Sequence, residues 1–140
     1  SADRLPQVRA QCATWSGPLA AVLYLPLVNV TGGVLSQAQE RRLQNAEAAV
    51  EDFFNQAEDP QNKKLLCQLR LMLVYETVDD DQVATLYPVN SLRNYARLMA
   101  DTELIANIDV DMLPSVSVSE ALNNATRFKL YLEAARKNQV

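Results

Sequence analysis

The sequence predicts an α/β protein in which helices cover both faces of a mainly parallel sheet. Three observations support this fold class. Apolar runs typical of buried strands recur along the chain, segments with a helical period separate them, and proline and capping signals mark most of their ends. Strands separated by helices are joined by right-handed crossovers and therefore lie parallel. At 140 residues, 49% of them hydrophobic, we expect a single domain with its own core.

The N-terminal part of the chain predicts a helix followed by a buried strand. Apolar residues at spacings of three and four predict the amphipathic helix, namely Leu5, Val8, Cys12 and Trp15. The helix should end at Gly17-Pro18. The continuous apolar run at residues 19–25, closed by Pro26, is typical of a strand that is buried on both faces.

A second helix and a second strand should follow. Ser36 with Gln39 forms a plausible capping box, and Asp59-Pro60 should stop the helix. The predicted buried stripe of this helix consists of Leu43, Ala46, Val50, Phe53, Phe54 and Ala57. The strand is predicted at about residues 65–75, because Leu69, Leu71, Leu73 and Tyr75 alternate with the residues between them.

The C-terminal part predicts a helix, a third strand and a last helix, after an acidic loop at residues 79–81. Pro88 suits the first position of the helix. Its apolar face contains Val89, Leu92, Ala96 and Met99, and its polar stripe contains Asn90, Arg93, Asn94 and Arg97. The third strand is predicted at residues 104–108. Ser117 with Glu120 predicts the start of the last helix, whose buried face should be Ala121, Ala125, Phe128, Leu132 and Ala135.

Composition excludes several functional classes. The net charge of −4 argues against a general nucleic-acid surface, which needs basic residues to neutralise phosphates. No apolar run reaches the roughly 18 residues that span a bilayer, and the first residues lack the pattern of a signal peptide. We therefore expect no membrane contact from this segment itself. The absence of histidine excludes histidine-based triads, general bases and metal ligands within the chain.

Cysteine and asparagine residues bear on the compartment without deciding it. Cys12 and Cys67 could form one disulfide or remain buried thiols. Two N-glycosylation sequons are present, one at Asn29 and one at Asn124. The first is followed by two glycines and is expected in a surface loop, whereas the second falls in a predicted helix.

The strongest candidate site is a pair of acids at the predicted end of the third strand. Asp109 and Asp111 are separated by one residue, and alternate residues of a strand project to the same side. The C-terminal edge of an open α/β sheet is where ligands bind. Two neighbouring carboxylates repel each other unless a cation lies between them, and hard divalent metals combine carboxylates with phosphates. The pattern therefore indicates a metal–diphosphate site; the alternative is an acidic turn after a buried strand.

Three blocks in the chain resemble glycosyltransferase family 49, of the LARGE type. The first is Asp3-Arg4-Leu5 followed by the segment from Cys12 to Pro18. The second, at residues 87–96, is close to the family pattern Y-P-[VI]-N-x-L-R-N-x-A. The third, at residues 108–114, matches a strand followed by D-[IV]-D-x-x-P. Together the blocks extend over most of the chain in the family's order.

The resemblance implies a GT-A (Rossmann-like) fold and a metal-dependent, inverting transferase that moves a sugar from a UDP-sugar to a glycan acceptor. Glucuronic acid is a characterised donor sugar of the family, and its members act in the Golgi lumen. By this resemblance Asp109 and Asp111 hold Mn²⁺ or another divalent cation, and Asn90, Arg93 and Asn94 face the donor. For these three side chains, an exposed polar helix face is the alternative.

Residues 1–140 are expected to form a single partial GT-A-like nucleotide-sugar-binding domain. The resemblance implies that the family domain has a strand before the first block and continues well beyond the acid pair, and that this further part carries the acceptor contacts and a general base. We expect this segment to pack against the rest of a longer chain or an assembly. Two further interpretations remain open: a catalytically inactive GT-A-like module that serves as a scaffold, and an unrelated α/β binding domain with an acidic edge.

Overall fold

The computed structural model describes residues 2–62, 64–65 and 67–137, which form an α/β structure. A 3-10 turn at Ala2–Arg4 leads directly into the first helix. The elements that follow are α1 (Leu5–Thr14), β1 (Pro18–Val28), α2 (Gln37–Glu58), β2 (Gln68–Val78), α3 (Asp81–Ala84), α4 (Val89–Leu98), α5 (Val116–Asn123) and α6 (Ala125–Arg136). Within the described ranges, no helix is long and apolar enough to cross a membrane.

The two strands pair in parallel, as predicted for strands separated by a helix. The register runs from Pro18 opposite Gln68 to Val28 opposite Val78, and α2 lies in the crossover between the strands. The strand β1 continues past Pro26, so the prediction that this proline closes it is wrong. The Gln68 N–H donates to the Gly17 carbonyl (3.0 Å), so odd-numbered residues of β1 direct their backbone groups toward β2. Pro26 therefore directs its missing N–H to the outer edge, where it interrupts no bond of this ladder.

One face of the sheet is buried under α1 and α2. A first core cluster contains Cys12 from α1, Phe53 from α2 and Leu69 from β2. A second cluster joins Leu27 from β1 to Ala46 from α2. All strand residues in these clusters are odd-numbered and share one face, because successive side chains of a strand alternate. The stripe predicted for α1 supplies the core, and Ala46 and Phe53 do so from α2. Phe54 was predicted to be buried in α2 but is 40% exposed, and no residue of α6 is buried, so the predictions for these positions are wrong.

The other face of the sheet meets α4. Leu92 is the buried residue of this helix, and α4 lies against β1. The Arg70 side chain of β2 donates to the Met99 carbonyl just after α4 (3.0 Å) and pairs with Asp101. Helices therefore lie on both faces, as the fold class requires.

Capping signals predicted both ends of α2, whereas α1 ends at Thr14, before the predicted end at Gly17-Pro18. Ser36 and Gln39 form the predicted capping box at the start of α2, and the helix ends at Glu58, before Asp59-Pro60. Pro88 precedes α4 as its N-cap residue, one position outside the helix. The second strand begins at Gln68 rather than near 65; of its predicted first residues, Leu66 lies outside the described part of the chain.

The third predicted strand is absent from the described residues, and the last helix is divided. Residues 104–108 have no regular structure and no backbone hydrogen bonds to β1 or β2, and Ile105 and Ile108 are 50% and 45% exposed. A strand forms only with a hydrogen-bonding partner, and within the described residues this run pairs with neither strand of the sheet. The predicted cap at Ser117 is also wrong: Ser115 caps α5 and Asn124 caps α6.

A disulfide joins Cys12 of α1 to Cys67 at the start of β2, which resolves the two possibilities that the sequence left open. The Cys67 N–H also donates to the Cys12 carbonyl (3.2 Å). The bridge closes a sequence separation of 55 residues that includes β1 and α2. It therefore restricts the unfolded chain and holds α1 against the sheet.

We expect removal of this bridge to destabilise the fold substantially. For a loop of this length, the chain-entropy model gives a loss of about 4 kcal/mol in the free energy of unfolding. Urea unfolding of the wild type with and without reductant measures the effect. The Cys12→Ser/Cys67→Ser double variant is the control, because its unfolding should not respond to reductant. Equal stability of the reduced and oxidised wild type would contradict the prediction.

Candidate functional site

Asp109 and Asp111 lie in a tight turn instead of at the end of a strand. The Met112 N–H donates to the Asp109 carbonyl (3.0 Å), and the turn carries Val110 and Asp111 at its tip. We call residues 109–112 the acidic turn. Both acidic side chains are exposed to solvent, by 70% at Asp109 and 66% at Asp111. Because this segment is not a strand, the argument that side chains at i and i+2 project to the same side does not apply to Asp109 and Asp111.

Each carboxylate pairs with a different arginine. Arg93 of α4 donates to Asp109 (3.0 Å), and Arg4, just before α1, donates to Asp111 (2.8 Å). These two cations offset the repulsion between neighbouring acids. Because both pairs are exposed, each contributes at most ~1 kcal/mol to stability and can be exchanged for another partner. The negative charges of Asp109 and Asp111 are thus offset, and both carboxylates remain accessible to a ligand.

The acidic turn is held from beneath by Gln11. This residue is only 4% exposed, although it lies on the apolar side of α1 between Val8 and Cys12. Its Nε2 donates to the carbonyls of Asp109 (3.1 Å), Val110 (3.4 Å) and Met112 (2.9 Å). The Val110 side chain packs against the core cluster that contains Cys12. The backbone of the turn is therefore fixed while its carboxylates face solvent.

An open cleft of about 380 Å³ lies beside Asp111 and is lined by Asp3, Arg4, Tyr87, Val110 and Asp111. This volume lies within the usual range of small-ligand sites. The exposed ring of Tyr87 meets the buried ring of Tyr24 edge to face, with 5.6 Å between centroids. The cleft thus combines charged groups with an aromatic surface.

Tyr24 supports this aromatic wall from the sheet. Its hydroxyl donates to Glu76 of β2 (2.7 Å). Burial, followed by the hydrogen bond to the Glu76 carboxylate, raises the pKa of Tyr24 to about 12. The phenol therefore stays protonated at neutral pH and continues to donate, which keeps the Tyr24 ring in place beneath Tyr87.

The polar stripe of α4 is only partly directed at the acidic turn. Arg93, which the resemblance predicts to face the donor, donates to Asp109. Asn90, Asn94 and Arg97 are exposed on the same helix. Within the described part of the chain, neither asparagine side chain hydrogen-bonds to the turn, so their donor-binding role stays a prediction. Arg4 and Gln11 were missed; a glutamine on an apolar helix face was the one available signal for Gln11.

The chemistry of the acidic turn suits a hard divalent cation. Asp109 and Asp111 offer exposed oxygen ligands, which Mg²⁺ and related ions combine with phosphate and water oxygens. Across residues 2–62, 64–65 and 67–137, no group of three or more acidic or cysteine side chains forms a complete metal cage. A cation here would need further ligands from a bound substrate, which is the usual arrangement for metal–diphosphate complexes.

Comparison with known proteins identifies related chains. A family model described as "Glycosyl-transferase for dystroglycan" matches residues 1–140. The chain is 29% identical to the xylosyl- and glucuronyltransferase LARGE2 of Mus musculus, over 98% of this chain and 16% of that protein. It is 30% identical to the protein of the same name from Rattus norvegicus, over 87% of this chain and 14% of that protein. For the human protein of that name the identity is 29%, over 98% of this chain and 15% of that protein.

The chain thus spans about a sixth or less of the length of these relatives. No solved structure matches the chain.

Proposed function

We propose a function on the basis that this chain belongs to the family described as "Glycosyl-transferase for dystroglycan". The chain is the donor-binding part of a metal-dependent, inverting glycosyltransferase with a GT-A fold. Such an enzyme transfers a sugar from a UDP-sugar to a glycan acceptor. The relatives are named xylosyl- and glucuronyltransferases, and we propose glucuronic acid as the donor sugar. The observation that carries the proposal is the acidic turn, with its two arginines and adjoining cleft, within a member of this family.

Asp109 and Asp111 are the proposed ligands of Mn²⁺ or another divalent cation. Their exposure leaves oxygen lone pairs available, and the weak ion pairs to Arg93 and Arg4 can be replaced at little cost. When bound, the cation would offset the negative charge that develops on the departing nucleotide, the main electrostatic demand of the reaction.

The two arginines have a second proposed role toward the donor. A guanidinium group has five N–H donors in a planar fork, and each arginine uses one nitrogen toward its carboxylate. The remaining donors of Arg93 and Arg4 can bind diphosphate or carboxylate oxygens of a nucleotide sugar. The exposed Tyr87 ring offers a surface on which a nucleobase can stack. We propose that Asn90 and Asn94 contact the donor from α4.

A second candidate function follows from apolar exposure near the acidic turn. Ile105, Ile108, Met112, Leu113 and Val116 are each 45–61% exposed and lie within one short stretch of the chain. Apolar patches of this kind mark interaction surfaces. We propose that this stretch packs against the rest of a longer chain or an assembly. In a catalytically inactive scaffold module, this contact would be the function.

We also propose that the chain resides in the lumen of the secretory pathway, in the Golgi. The Cys12–Cys67 bridge supports this, since disulfides persist in oxidising compartments. The sequon at Asn29 lies in the loop after β1, where Asn29 and Thr31 are exposed. The residue between them, Val30, is buried and anchors the loop to the core.

Mn²⁺-dependent binding of UDP tests the donor site. We expect Asp109→Asn and Asp111→Asn each to weaken it about 10- to 150-fold, because a lost charged contact costs roughly 1.5–3 kcal/mol. Isothermal titration with UDP in the presence of Mn²⁺ measures the affinity. Asp101→Asn is the matched control: Asp101 is also an exposed partner of an arginine, but it pairs with Arg70 on the sheet.

The control should bind UDP as the wild type does. Binding by the wild type that is unchanged in both acid variants would remove Asp109 and Asp111 from the site. A wild type that binds no UDP with Mn²⁺ would favour the scaffold function instead.

Expression through a eukaryotic secretory pathway tests the proposed compartment. We expect an N-linked glycan on Asn29, detected as a loss of mass after enzymatic deglycosylation. Thr31→Ala should abolish this glycan and Thr31→Ser should retain it, because the sequon requires a hydroxyl. Substituting Thr31 avoids strain at Asn29, whose φ of 57° suits asparagine. Thr126→Ala in parallel separates any glycan on Asn124; a wild type without glycan on Asn29 contradicts the prediction.

Light scattering and binding of an apolar dye test the interaction surface. We expect the 140-residue chain by itself to self-associate or to bind the dye, because its exposed apolar stretch lacks a cover. Leu113→Ser combined with Val116→Ser should reduce both signals. Val34→Ser is the control, since Val34 is also exposed but lies in the loop before α2. A monodisperse wild-type monomer that binds no dye would contradict the proposal.

A further inference from the structure

A single buried amide connects the first helix to the acidic turn. Gln11 is among the few buried polar residues in the described part of the chain, and its Nε2 lies within 2.9–3.4 Å of three carbonyl oxygens of the turn. An amide nitrogen carries two N–H groups, so the three acceptors share them. All three acceptors belong to the four residues that contain Asp109 and Asp111.

These bonds restrict the backbone between the two acids. Without the Gln11 amide, the three carbonyl oxygens would lose the donor that holds them toward α1. With the carbonyls of Asp109, Val110 and Met112 held toward α1, the peptide groups that link the two carboxylates cannot rotate freely. Ligand sites bind most tightly when surrounding hydrogen bonds fix the coordinating groups before the ligand arrives.

Helix α1, which carries Gln11, is itself held in the fold by a disulfide and by core packing. Cys12, the residue after Gln11, is fully buried and forms the disulfide to Cys67. Arg4, just before the same helix, pairs with the Asp111 carboxylate. Two contacts therefore join this part of the chain to the turn: Gln11 of α1 binds its backbone, and Arg4, before α1, pairs with one of its carboxylates.

We propose that Gln11 is a positioning residue for the site: it presets the separation of the Asp109 and Asp111 carboxylates for one cation and its diphosphate. This inference rests on the proposed function and extends it to a residue outside the cleft. Gln11 touches neither cation nor substrate; it acts through the backbone of the turn.

The test is a titration of Mn²⁺ with UDP, followed by electron paramagnetic resonance of the free ion, in the wild type and in Gln11→Met. Methionine keeps the length and flexibility of glutamine but cannot donate. We expect the affinity for Mn²⁺ to fall about tenfold or more at a temperature where circular dichroism shows both proteins fully folded. Gln7→Met is the matched control, since Gln7 lies one turn earlier on α1 and makes no contact with the acidic turn among the described hydrogen bonds. Its affinity should stay within about twofold of the wild type.

A second measurement on the unmodified protein does not depend on the variant folding. In heteronuclear NMR spectra, the side-chain amide signal of Gln11 should shift when Mg²⁺ and UDP are added, and that of Gln7 should not. A wild type that binds no Mn²⁺ would overturn the proposed function and this inference with it. Wild-type binding with an unchanged affinity in Gln11→Met, or with no shift of the Gln11 signal, would overturn the inference alone.

Discussion

Helix α1 connects the sheet to the acidic turn, and most of the molecule's organisation depends on how it is held. Its buried side faces the sheet through Val8 and Cys12, and the disulfide to Cys67 fixes it covalently at the start of β2. The same helix carries Gln11, whose amide binds the backbone of the turn. A turn that has no strand to anchor it is thereby attached to a helix that the disulfide and the core hold against the sheet.

The electrostatics of the acidic turn are balanced by exposed partners. Asp109 and Asp111 are each neutralised by one arginine, and these arginines are far apart in the sequence: Arg4 precedes α1 and Arg93 belongs to α4. Buried ion pairs are costly to break, whereas exposed pairs exchange partners readily. Hydrogen bonds from Gln11 hold the backbone of the turn, whereas its exposed carboxylates can exchange their arginine partners. A binding site for a charged ligand that is bound and released needs both properties.

Several elements were predictable because their causes are local. The capping box at Ser36 and the proline after Asp59 set both ends of α2, and each signal acts within a few residues. The parallel pairing of β1 and β2 followed from the helix between them. The apolar run at 104–108 misled because a strand is defined by its partner, and whether an edge can accept a partner cannot be read from the run itself. The last helix is divided at Asn124, which caps α6, and Ser115 caps α5. The sequence offers several residues that can cap a helix in this region, and it does not show which of them do so.

For the candidate site, the sequence alone determined the chemistry: two acids one residue apart, an arginine on the helix before them, and no histidine. It also indicated the family, which the family model matching residues 1–140 confirms. Only the tertiary structure decided the arrangement. It placed the acids in a turn, gave each its own arginine, joined Cys12 to Cys67 and placed Gln11 beneath the backbone. The physical reason is distance along the chain, because sequence patterns report interactions between residues that are close in sequence. Arg4 and Asp111 are 107 positions apart, and Gln11 is 98 to 101 positions from the residues of the turn that it binds.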